Sequence, residues 1–236
     1  MQEKYEGEYF EEDHKNWFDN PNYKLFRNIE KYISKIEKVN LLDAGCGKGD
    51  LLIWLQDRHP GWKLTGIDLA PNSHNKIKFI TGDIFNIEFN EEFNVITCFS
   101  TVEHLEKIKP FIQKMEKLLD KDGIFIVNTF NADSMIFRLS RMLKSIGIRV
   151  AFDRLYSHHH LQHYSKKSIR TILTLSGFDI IEHRCHNYPL SAVDVPKAGK
   201  LIEKMYKAAV GAVFLLSEPI GMGIEHTITC KPKALQ

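Results

Sequence analysis

Val39-Asn40-Leu41-Leu42-Asp43-Ala44-Gly45-Cys46-Gly47-Lys48-Gly49-Asp50 decides how this chain is read. An apolar run ends in an acid, passes through three alternate glycines and opens on Leu51-Leu52-Ile53-Trp54-Leu55. That is the order strand, tight turn, helix N-terminus. Glycine has no Cβ, so such a turn can bring backbone N–H groups close to a ligand. The spacing narrows the choice of ligand. A dinucleotide turn needs a third glycine or alanine where helix and strand touch, and that position holds the bulky, charged Asp50. A P-loop needs Gly-Lys followed by Ser or Thr, but Gly49 follows Lys48. Neither pattern fits.

The flanking segments repeat the strand-then-acid theme. Lys63-Leu64-Thr65-Gly66-Ile67-Asp68 reads as a second strand, its acid falling roughly 20 residues after the glycines, where a carboxylate can take both hydroxyls of a ribose. Ile77-Lys78-Phe79-Ile80 is a short third strand before Thr81-Gly82-Asp83-Ile84. Phe93-Asn94-Val95-Ile96-Thr97-Cys98 is a fourth, leading into Phe99-Ser100-Thr101-Val102-Glu103-His104-Leu105. Leu118 to Gly123 read as a turn before a fifth strand, Ile124-Phe125-Ile126-Val127.

With these segments in this order, the chain resembles class I S-adenosylmethionine (SAM) dependent methyltransferases, over about residues 38–185 and the last strand. It is most similar to their small-molecule members, the quinone-precursor and natural-product type. The resemblance implies a Rossmann-like α/β fold: a seven-stranded, mostly parallel sheet, the last strand antiparallel between the fifth and sixth, with helices on both faces. It implies SAM as cofactor. Asp43, Gly45, Cys46 and Gly47 would form its loop, Asp68 and Leu69 its ribose site, Asp83 and Ile84 its adenine site, with Ser100 after the fourth strand as a further cofactor contact.

Composition sets the class. At 236 residues and 43% apolar content, one α/β domain with a real core is expected. A net charge of +2 gives no field for nucleic acid. Cys46, Cys98, Cys185 and Cys230 form no CxxC pair and point to a reduced, cytoplasmic setting. Residues 1–13 are acidic and lack the apolar core of a signal peptide. The run Ala208–Leu216 is far short of the roughly 20 residues that cross a bilayer.

Within one methyltransferase-like domain, residues 1–37 read as an N-terminal helical cap, with Leu25, Ile29, Tyr32, Ile33 and Ile36 at helical spacing over 21–38. Residues 38–129 are the cofactor-binding half. Phe178-Asp179-Ile180-Ile181-Glu182, entered through Gly177, is a sixth strand, and Ile224 to Cys230 a seventh with alternating apolar and polar residues. Residues 130–163 and 186–221 exceed the minimal domain, and insertions of that length are usually functional. The first sets Arg138, Arg141 and Lys144 against Leu139, Met142, Leu143 and Ile146; the second spaces Lys197, Lys200, Lys204 and Lys207 helically. Two readings follow: a lid whose apolar side packs on the sheet, or contact with an anionic or amphiphilic acceptor or a membrane surface.

Histidines supply the candidate bases. His104 follows the fourth strand, and His159 and His160 lie in Ser157-His158-His159-His160-Leu161-Gln162-His163. His159 and His163 have the i, i+4 spacing of metal ligands, but no cysteine or carboxylate lies near in sequence, so no metal is expected. Methyl transfer needs the acceptor positioned and, for a hydroxyl, a proton removed, which suits histidine. Phe99-Ser100-Thr101-Val102 replaces the Asn/Asp-Pro-Pro-Phe/Tyr segment often found in N-methyltransferases. The reading is therefore O-methylation of a small or lipid-like acceptor. N- or C-methylation, a SAM-binding protein without catalysis, and a nicotinamide-dependent dehydrogenase stand as alternatives.

Overall fold

The computed structural model describes residues 15–156, 160–195 and 199–234. Along the chain run α1 (Lys15–Asp19), α2 (Tyr23–Ile33), β1 (Asn40–Ala44), α3 (Asp50–Arg58), β2 (Lys63–Asp68), β3 (Lys78–Thr81), β4 (Phe93–Phe99), α4 (Ile108–Leu118) and β5 (Leu119–Phe130). Then come α5 (Met135–Ser145), α6 (Val150–Leu155), α7 (Lys166–Leu175), β6 (Phe178–His186), α8 (Lys200–Ser217) and β7 (Glu225–Pro232). Short 3₁₀ turns lie at Val102–His104 and Leu190–Ala192.

The sheet order is β3-β2-β1-β4-β5-β7-β6, with β7 antiparallel to both neighbours. Helical crossovers return the chain parallel from β1 to β2 and from β4 to β5, and loops without a helix do the same from β2 through β3 to β4. The last strand enters antiparallel between β5 and β6 after the long connection through α8. Two apolar layers cover the sheet. On one face Phe111, Met115, Ile169, Leu173 and Phe178 are fully buried under α4 and α7. On the other, Leu25, Ile29 and Ile33 of α2 pack with Leu52, Trp54 and Leu55 of α3. Helix starts follow the sequence: Asn22 accepts the Leu25 N–H at 3.1 Å to cap α2, and Ser165 with Ser168 forms a capping box on α7. Gly177, at φ +95°, terminates that helix.

Several sequence expectations need correction. The amphipathic helix expected over 21–38 stops at Ile33, and Ile36 lies beyond it. The turn expected at 118–123 lies within β5: Phe93 pairs with Leu119 and Val95 with Ile124, so Asp120–Gly123 bulge out of the ladder. The alternation of β7 suggested one wet face, yet Glu225 to Cys230 are all buried, because the strand is flanked and covered on both sides.

The insertions also pack differently. In α5 the covered residues are Phe137 and Ser140, while Met142 and Ile146 are exposed. In α8 they are Val210, Phe214 and Ser217, at i, i+4, i+7. Together with Val193 and Ile224 they make a third, smaller apolar cluster beside the sheet. The insertions pack on each other and on Phe130 at the end of β5. Leu201, Ile202, Met205, Leu215 and Leu216 remain outside. Among the described residues no helix is long and apolar enough to cross a membrane.

Candidate active site

Above the C-terminal ends of the parallel strands lies one cavity of about 1660 Å³, large enough for a cofactor and an acceptor together. It gathers every predicted site residue that is described, from Asp43 and Gly45 through Asp68, Asp83 and Ser100 to His104 and His160. His159 lies outside the described residues.

The glycine loop is shaped from within. Gly45, Gly47 and Gly49 all have positive φ, at 79°, 52° and 78°, where side chains are costly. A Cβ on Gly45 would stand 2.2 Å from Thr101 Oγ1. The loop N–H groups do not point at a ligand as expected. Gly45 and Cys46 donate to the Ile67 carbonyl at 2.8 and 3.1 Å, Gly49 to Cys46, and Gly47 to Asp68 Oδ2 at 2.8 Å. With these four donors consumed, the turn itself has little left to offer a pyrophosphate.

Asp68 Oδ1 also takes the Ala70 N–H at 2.9 Å. The carboxylate thus holds the loop and its own turn, with lone pairs to spare for a diol. Leu69 is exposed at the cavity edge. Asp43 is buried and accepts from Thr97 Oγ1 at 2.7 Å. Asp83 folds its own turn, accepting from Phe85 N–H at 2.9 Å, and Ile84 packs on the core. Ser100 holds the strained φ of 47° at the end of β4, its N–H donating to the Asn128 carbonyl. These residues fit a SAM-sized ligand: a close glycine turn, a carboxylate at the second strand end, and an apolar slot.

Another stretch of the cavity wall is built by Val102–His104 and the return of the chain at 160–164. Gln162 donates its N–H to the Glu103 carbonyl at 3.0 Å, and Asn131 bridges Tyr164. This sets the His104 and His160 rings 5.0 Å apart, with Phe130 5.1 Å from His160. Glu103 is 1% exposed; Oε2 accepts from Thr129 Oγ1 at 2.8 Å, and Oε1 is buried with no hydrogen-bond partner among the described residues. Ligand atoms of Glu103, His104 and His160 lie within 4.8 Å of one another, close enough for a metal ion to bridge. The carboxylate sought beside the histidine run is thus supplied from far away in sequence. His163 turns elsewhere, stacked on Tyr156 at 4.6 Å. Sequence reasoning missed Glu225, Trp17, Asn128 and Tyr188, which also line the cavity.

Buried titratable groups around the site give the apoprotein a defined pH response. Burial pushes Asp43 and Glu103 up to about 7 and Glu225 up to about 8. It pushes His183 and His186 down to about 4 and His226 to about 3. Between the unfolded carboxyl range, about 4, and 6.5 the two sets oppose one another, since the native state holds extra protons on acids and fewer on histidines. Above 6.5 only the acids act and stability falls. Below about 4 only the histidines act and it falls again. Thermal melts without ligand should therefore show a plateau from about pH 4.5 to 6.5. A melting temperature that climbs steadily from pH 6.5 to 8.5 would contradict these assignments.

Sheet order and cofactor cradle define an α/β nucleoside-binding methyltransferase of class I. The chain belongs to the methyltransferase-domain family, whose model matches residues 10–183. It is 27% identical over 176 residues to the ubiquinone biosynthesis O-methyltransferase of Rickettsia canadensis, covering 67% of this chain and 70% of that one. It is 24% identical over 128 residues to the malonyl-[acyl-carrier protein] O-methyltransferase of Acetivibrio thermocellus, where it spans 45% of the relative's length and 46% of its own. Among solved structures, the 1,6-didemethyltoxoflavin-N1-methyltransferase of Burkholderia thailandensis, with S-adenosylhomocysteine (SAH) bound, superposes at a TM-score of 0.60 and 12% identity, covering 92% of this chain and 81% of that one. The protein is a SAM-dependent methyltransferase.

Proposed function

We propose that the methyl group goes to a hydroxyl oxygen of a small or lipid-like molecule, bound between the Glu103–His104 turn and the insertions at 130–163 and 186–221. The carrying observation is the pair of rings, His104 and His160, facing each other in the same cavity as the glycine loop and Asp68. Bound SAM supplies an electrophilic methyl on a good leaving group. Asp68, Gly45 and Gly47 would hold it, with Asp83 and Ile84 at the adenine and Asp43, Cys46, Leu69 and Ser100 completing the cradle. His104 or His160 would take the hydroxyl proton as the oxygen attacks, and Phe130 would orient the acceptor. The two relatives named as O-methyltransferases support oxygen as the atom methylated.

Calorimetry with SAH and with NAD tests the cofactor half of this reading. One-to-one SAH binding with no NAD binding is expected. NAD binding without SAH binding would restore the dehydrogenase alternative.

The exposed residues of α8, with Lys200, Lys204 and Lys207, support peripheral contact with an anionic membrane. Arg141 and Lys144 are engaged locally, Arg141 with Tyr156 Oη at 2.9 Å and Lys144 over the Phe152 ring. α8 offers its lysines beside exposed apolar residues, while Arg138, Arg141 and Lys144 of α5 are held by neutral partners and keep their charge. Each Lys→Ala change there should weaken binding to anionic vesicles about fivefold (about 1 kcal/mol) in low salt. Sedimentation that shows no binding at low salt would leave α8 as a lid alone.

A further inference from the structure

Glu225 opens β7 and stands in the cavity wall, yet the O-methylation reading gives it no role. It is 2% exposed. Among the described residues its side-chain contacts are long: Asn22 Nδ2 donates to Oε2 at 3.4 Å, and His186 Nδ1 lies 3.5 Å from that oxygen. Burial keeps the His186 ring neutral, so it supplies no countercharge. The nearby Glu103 carboxyl works against ionisation of Glu225 rather than for it.

The walls around Glu225 are aromatic. Phe130 pairs with it across the β5–β7 ladder. The Trp17 ring lies 6.2 Å from Phe130 and 4.9 Å from Tyr188, and all three rings line the cavity. A dry carboxyl flanked by aromatic rings is short of one thing, a positive charge: ring faces attract cations, and a buried carboxylate needs a partner. A carboxylate placed at this end of the cavity would meet two buried carboxyls, Glu225 and Glu103, whereas the cavity's cations, Lys48, Lys107 and Arg154, are not among the groups whose charge acts on Glu225.

We propose that this end of the cavity is a cation subsite: it selects acceptors that carry a protonated amine away from the methylated oxygen, with Glu225 as the ion-pair partner and Trp17, Phe130 and Tyr188 as walls. The subsite deepens the O-methylation reading and rests on it for the position of the hydroxyl. Binding ionises Glu225: its O–H bond breaks, the proton leaves to solvent, and the carboxylate pairs with the ammonium. Proton release on binding is a signature that a merely structural carboxyl would not give.

The probe is benzylammonium, with benzyl alcohol and benzoate as neutral and anionic counterparts, titrated calorimetrically into the SAH-saturated protein in buffers of different ionisation enthalpy. Benzylammonium should bind at least about tenfold more tightly than benzoate, with release of about one proton near pH 7. Glu225→Gln should abolish the preference and the proton release while SAH affinity stays unchanged. Trp17→Leu should weaken benzylammonium more than benzyl alcohol, which keeps the test decisive if Glu225→Gln folds poorly. Absence of saturable benzylammonium binding, equal or better binding of benzoate, or a preference that survives Glu225→Gln overturns the subsite. Failure of SAH to bind counts against the methyl-transfer reading instead, and the cation titration is then run on the ligand-free protein.

Discussion

Asp68→Ala is expected to weaken SAH binding by roughly 30- to 900-fold, about 2–4 kcal/mol, because it removes a charged acceptor from several donors at once. The carboxylate takes the Gly47 and Ala70 N–H groups, one on each oxygen. Its loss therefore unpins the glycine loop, and would also remove the partner that the proposed site gives the ribose diol. Asp68→Asn keeps the shape but turns an NH₂ toward one of these donors, so it should fall in between. Calorimetry measures the loss, and circular dichroism checks that the fold survives. Affinity within about threefold of wild type would remove Asp68 from the cofactor site.

The second large effect lies on the acceptor side. If the acceptor is a hydroxyl, loss of the histidine that takes its proton should lower turnover by about 10²–10⁴ with SAH binding intact. Single His104→Ala and His160→Ala variants decide which ring acts. A modest effect of each alone with a large effect of the double variant would mean that the two rings share the proton. Wild-type turnover in the double variant and in His159→Ala would show that positioning suffices.

The glycine loop and the strands around it were legible because their residues are consecutive. A strand, three glycines and an acid at the next strand end are local signals, and their spacing reports their geometry directly. The acceptor half was legible only in pieces. His104 and His160 could be named as candidates, but their meeting depends on Gln162 returning to the Glu103 carbonyl, which no periodicity encodes. Glu225 was hidden for a different reason. Its alternating strand looks half-exposed, and although the resemblance already set that strand inside the sheet, the groups packed on Glu225, Asn22 and His186, are remote in sequence. The helix faces failed similarly: Met142 and Ile146 are as apolar as Phe137, and only the neighbour against α5 decides which is covered. The loop N–H groups show that a correct motif can carry an incorrect reason, since these donors hold the loop together rather than the ligand.

The most direct test of the central claim is transfer of a ¹³C-labelled methyl group from SAM, followed by NMR, with hydroxyl-bearing small molecules offered as acceptors. The account predicts that SAH appears in step with a new O–CH₃ resonance, and that both disappear in the Asp68→Ala variant. Labelled methyl found only on nitrogen or carbon would contradict the assignment to oxygen. SAM that binds tightly yet is never consumed, across amine- and hydroxyl-bearing acceptors alike, would contradict catalysis itself.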